Sequence, residues 1–236
     1  MKLIFARQFI LGEDNPMTEK HKLTPMKIGA YLIVFFTIWS VRELVIQPVF
    51  LTPLDPLVSE IIGEIMKLAV WTFPAILLIR YFQDDMWMGL KEMFTTKPKW
   101  FKDAPILLVV FTPILSALVR QGGLYIDPDF VPARLIGAVL LVGITEEIVF
   151  RGFLLNALLK KMKPYPAIAM NEVLFVLIHF PIWIYHGHEL SAFLSSIPAV
   201  FILGALFSYS FIKTKNIFVP IVLHMIWNLL SMPFLG

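Results

Sequence analysis

The chain has 236 residues, 58% of them hydrophobic and 16% charged, with a net charge of +3 and no cysteine; its mean hydropathy is +0.78. That apolar share lies beyond a soluble globular domain and predicts an all-α, polytopic membrane helix bundle. The lack of cysteine excludes thiol catalysis, thiolate metal sites and disulfides. No basic stripe suits nucleic acid, so the expected partner of the positive excess is membrane lipid.

In chain order, residues 1–27 read as a cytoplasmic, interfacial arm. Leu3, Ile4, Phe5, Phe9 and Ile10 are expected to enter the lipid interface while Lys2 and Arg7 stay in water. Seven hydrophobic segments follow, at about 28–49, 57–79, 104–119, 135–159, 166–185, 192–212 and 217–235. Fifteen of the 20 Lys and Arg fall in the N-terminal arm and in the stretches after segments two, four and six. Such alternation predicts seven crossings, a cytoplasmic N-terminus and a multi-pass protein of the cell membrane.

Arg42 and Glu43 in the first segment, and Glu60, Glu64 and Lys67 on one face of the second, predict a structural ion-pair cluster. Between the second and third segments, Trp87, Met88, Phe94, Trp100 and Phe101 alternate with lysines and suggest an amphipathic stretch lying in the interface.

The fourth segment contains Glu146, Glu147 and Arg151 in an otherwise apolar run. Charges at membrane depth persist where they are paired, face protein or water, and serve a purpose. At 100° per residue, Arg151 lies roughly 40° from Glu147 and roughly 140° from Glu146, so Glu147 and Arg151 form the pair and Glu146 has no partner on its own helix. The fifth segment carries Glu172, Phe175 and His179 on one face, and the seventh carries His224 and Asn228 one turn apart. Taken singly, each intramembrane His or Asn reads as a helix–helix hydrogen bond. Three helices of the same half presenting such groups suggest a shared centre. Counted from the outer helix ends, His179 lies about 9 Å shallower than Glu146, a difference that tilt, a kink at Pro181 or a longer fifth helix would absorb.

These residues resemble the CPBP family of CAAX-processing and bacteriocin-processing intramembrane proteases, also called the Abi or CAAX protease self-immunity family. Its three motifs are met in order by Glu146, Glu147 and Arg151, by Phe175 and His179, and by His224 and Asn228, over roughly residues 135 to 230. The segment pattern gives an N-terminal arm at 1–27 and transmembrane helices at 28–134, and the resemblance implies a catalytic helical core at 135–236. It implies an intramembrane endopeptidase acting on a hydrophobic or lipidated peptide or protein, by water activated between Glu146 and His179. His224 and Asn228 would donate to the oxyanion, with Glu147, Arg151 and Phe175 in support. No cofactor is required in that scheme. A single divalent metal such as zinc on Glu146, His179 and His224 stays open beside it. Two other readings stay open as well: a non-enzymatic immunity or scaffold protein, and a proton-coupled transporter, although neither repeated halves nor broken helices mark the chain as a carrier.

Overall fold

The computed structural model describes residues 22–98, 111–125 and 135–235, so the expectations for the N-terminal arm, Trp100 and Phe101 lie outside the described residues. The chain is a bundle of α-helices: α1 (Pro25–Leu51) and α2 (Pro56–Tyr81), α3 (Leu90–Thr95) and α4 (Thr112–Gln121), α5 (135–161), then α6 (Pro164–Tyr185) and α7 (Leu190–Thr214), and α8 (Phe218–Leu235). Among the described residues, α1, α2, α6 and α7 are each long and apolar enough to cross a membrane. α5 has comparable length and differs by carrying Glu146, Glu147 and Arg151. Of the third predicted segment, 104–119, the part before residue 111 is outside the described residues.

Side-chain exposure is inverted relative to a soluble protein. Ile33, Val34, Ile65, Leu77 and Ile202 are exposed, whereas Glu43, Glu64, Glu147, Arg151 and Glu172 are buried. With lipid outside, apolar side chains lose nothing by facing outward, while every charge must find a partner inside the bundle. The core is aromatic. Phe35, Trp71, Phe150, Phe153 and Phe175 pack together with residues from both the N-terminal and C-terminal halves.

The helix starts follow local rules. Thr24 caps α1 by accepting from Lys27 N at 3.3 Å, ahead of Pro25, and Asp55 caps α2 by accepting from Leu57 N at 3.0 Å, ahead of Pro56. One face of the bundle gathers the lysines. There, Lys161 Nζ donates to Leu23 O at 2.5 Å, Leu23 N donates to Asp85 at 2.6 Å, and Ile217 N donates to Met93 O at 2.9 Å. The stretch around α3 belongs to this cap. Asn156 clips its backbone with Nδ2 donating to Met88 O at 2.9 Å and Met88 N donating to Oδ1 at 2.8 Å. Met86, Met88 and Met93 are buried beneath it. The stretch is two-sided, with Met88 and Met93 buried against the bundle and Lys91 and Glu92 exposed.

Candidate active site

Two features of α5 bring its charged residues against neighbouring helices. Its turns widen to π geometry over Leu135–Leu141 and Ile148–Leu155, a local irregularity that recurs at functional sites. Gly143 removes the side chain where α5 meets α8: a Cβ there would lie 2.9 Å from Met225 Cγ and 3.2 Å from Ile221 O. That approach brings His224, next to Met225, within reach of both glutamates.

Arg151 is the hub of a buried polar network. Its Nη1 donates to Glu147 Oε1 at 3.0 Å, as the helical spacing predicts; Nη2 donates to Glu172 Oε2 and to Gly204 O, both at 2.8 Å; and Nε donates to Ser208 Oγ at 3.2 Å. Asn171 Nδ2 and Ser208 Oγ both donate to Glu172 Oε1, at 2.8 and 2.5 Å. Glu172 is thus an interhelical ligand of Arg151, tying α5, α6 and α7 together, and not a group facing His179. Glycine is required at 204, because a Cβ would collide with the Glu172 carboxylate. Phe175 covers the network on its other side, with its ring 4.5 Å from the Arg151 guanidinium carbon and 5.0 Å from Phe150.

His224 is held by this network and turned towards Glu146. Its Nδ1 donates to Glu147 Oε1 at 2.8 Å, and its Nε2 lies 3.9 Å from Glu146 Oε2. Because a carboxylate can only accept, the hydrogen on Nδ1 fixes Nε2 as the nitrogen that faces Glu146. Phe207 stacks on the same ring at 4.9 Å. Burial separates the two adjacent glutamates: the Glu147 side chain is fully buried, while that of Glu146 is 12% exposed.

The position of His179 follows from Pro181. α6 is interrupted at Ile178 and His179, and His179 N donates to Val176 O at 3.0 Å instead of reaching Phe175 O. The released Phe175 carbonyl accepts from His179 Nδ1 at 2.8 Å, and Trp39 Nε1 donates to Ile178 O at 2.7 Å. Since a carbonyl only accepts, the neutral ring presents the lone pair of Nε2. The rings of His179 and His224 lie 5.0 and 6.4 Å from that of Phe175.

Asn228 is one turn beyond His224, and its Nδ2 donates to Ala138 O on α5 at 2.7 Å, which leaves the second amide hydrogen to be used elsewhere. The zinc set of Glu146, His179 and His224 is gathered only in part. Among the described residues no group of three or more His, Asp or Glu is arranged to hold a metal ion. The sequence reading missed Asn171, Gly204, Ser208 and Trp39. For two of these a signal was available, since Gly204 and Ser208 have the small-xxx-small spacing that lets membrane helices approach closely.

Residues 128–230 match the family model described as Rce1-like, type II CAAX prenyl endopeptidase. This stretch, rather less than half of the chain, is similar to the CAAX-protease family. The match supports a membrane-embedded endopeptidase at family level, and the matched residues include every motif position from Glu146 to Asn228. No curated protein and no solved structure matches the chain.

Proposed function

We propose that the chain hydrolyses a peptide bond of a hydrophobic or lipidated, membrane-associated peptide, with Glu146 as general base and His179 positioning the water. The observation that carries this is the orientation of His224, held by Glu147 through Nδ1 and presenting Nε2 to Glu146 at 3.9 Å. Water bound between Glu146 and the His179 Nε2 lone pair gives up a proton to Glu146 as its oxygen attacks the carbonyl carbon. The developing oxyanion accepts from Asn228 through its second amide hydrogen. The proton passes from Glu146 to His224 Nε2, which holds it beside the oxyanion and delivers it to the leaving amine as the C–N bond breaks. While His224 is protonated, Glu147 stabilises the imidazolium, and Arg151 keeps Glu147 in place with Glu172 and Ser208 behind it. No metal has a role in these steps.

In this scheme residues 135–236 form the catalytic core and residues 28–134 its wall. A scaffold protein would need the buried Arg151 network but would gain nothing from the partly exposed Glu146 opposite an oriented imidazole. The test is hydrolysis of hydrophobic peptides by the purified protein. Glu146→Gln is expected to lower kcat by about 10²–10⁴-fold, the range for loss of a general base, with the fold intact, and His179→Ala to lower it comparably. Wild-type rates in both variants would remove Glu146 and His179 from the chemistry.

A further inference from the structure

The charged residues of α1 and α2 do more than pair with one another. Arg42 is paired with the adjacent Glu43, and Lys67 Nζ donates to Glu64 Oε1 at 2.6 Å. These four residues, together with Gln47, Thr52, Ser59 and Glu60, line a cavity of about 430 Å³ whose remaining wall comes from Ala138 on α5, Ile182 and Tyr185 on α6, and His186 just beyond it. That volume is in the range of ligand-binding clefts. Ionised groups at membrane depth pair with one another or face water, and a cavity of this volume walled by five of them is polar and roomy enough to hold water.

Its location connects it to the site. Ala138, whose carbonyl accepts from Asn228, is part of its wall, and so is Ile182, three residues after His179 on the same helix. Its lining includes Thr52 and Leu54 between α1 and α2, Pro56 at the start of α2 and Tyr185 at the end of α6, which lie at the end of these helices opposite the lysine-rich cap. The wall supplies both donors (Arg42, Lys67, Ser59, Tyr185) and acceptors (Glu43, Glu60, Glu64), which complements the N–H and C=O groups of an extended main chain better than it does a lone ion.

We infer that this cavity is a hydrated vestibule that binds the polar main chain of the peptide substrate and feeds it, with water, to Glu146 and His179 from the lysine-poor face. This rests on the peptidase reading for what is delivered, but not for the cavity or its sidedness.

The cysteine-free sequence permits a direct test in the full-length chain. Ser59→Cys is reconstituted in oriented vesicles and treated with a membrane-impermeant methanethiosulfonate reagent, with the lipid-facing Ile65→Cys as control. Ser59→Cys is expected to react from the lysine-poor face only, and Ile65→Cys at least tenfold more slowly. Millimolar N-acetylated octapeptide amides of mixed sequence, added to Ser59→Cys in a Glu146→Gln background, are expected to slow the labelling several-fold. Labelling from the lysine-rich face, an unreactive Ser59→Cys, or labelling unchanged by peptide would overturn the inference. Peptide protection without any wild-type hydrolysis would count against the peptidase reading and leave the vestibule standing; hydrolysis without protection would do the reverse.

Discussion

His224 donates through Nδ1 to Oε1 of Glu147 at 2.8 Å, the same oxygen that accepts from Arg151 at 3.0 Å. One buried carboxylate oxygen therefore joins the imidazole of α8 to the guanidinium that anchors α5, α6 and α7. The orientation of the proposed proton carrier depends on an ion network in which only Glu147 touches it.

Arg151 neutralises two fully buried carboxylates at once. Replacing it with Met leaves both Glu147 and Glu172 uncompensated, and breaking a buried pair by removing one partner typically costs about 3–5 kcal/mol. Arg151→Met is expected to lower the melting temperature in detergent more than Glu172→Gln, which keeps an amide oxygen to accept from Arg151 or Ser208. Equal melting temperatures for wild type and Arg151→Met would mean the network is not formed as described.

Gly204 admits the Glu172 carboxylate and the Arg151 guanidinium against the α7 backbone. Gly204→Ala overpacks this contact, at about 1–3 kcal/mol for inserting a methyl into a filled site, and is expected to reduce both folded yield and activity. Gly123→Ala, near a tyrosine at the end of α4 and outside the network, is the comparison. Gly204→Ala with wild-type yield and thermal stability would contradict the close approach of α6 and α7.

Trp39 reaches from α1 to the Ile178 carbonyl at the break in α6. Trp39→Phe keeps most of the packing but loses the indole N–H, at about 1 kcal/mol for one hydrogen bond. The expected kinetic effect is a several-fold fall in kcat with little change in KM, because His179 loses alignment while the substrate contacts remain. A change in KM alone would assign Trp39 to substrate binding.

Much of this arrangement was legible in the sequence where one helix decides it. Spacing alone paired Glu147 with Arg151 and left Glu146 free of partners on its helix, and an unusual excess of polar groups in the C-terminal half marked α5, α6 and α8. Contacts that depend on how a helix is rotated against its neighbours were not legible. Glu172 shares a helical face with His179 by counting, yet the break before Pro181 and the π turns of α5 let it bond to Arg151 while His179 turns elsewhere. The charges on α1 and α2 read as mutual pairs, as Arg42 with Glu43 and Lys67 with Glu64 are, but nothing in their spacing revealed the cavity they enclose with α5 and α6. The spacing of Gly204 and Ser208 signals a close helix approach but not the bond to Arg151, because a serine among apolar residues in a membrane helix usually bonds to its own backbone, as Ser210 does here.

The central claim is that Glu146 and His179 act on one water molecule, and a kinetic double-mutant cycle tests it most directly. Hydrolysis of one peptide is measured for the wild type, Glu146→Gln, His179→Ala and the double variant. Residues that act as a unit are strongly non-additive, so the double variant is expected to be about as slow as the slower single variant. Losses that multiply, so that the double variant falls by the product of the two single effects, would show that the two residues work independently and that no shared water joins them.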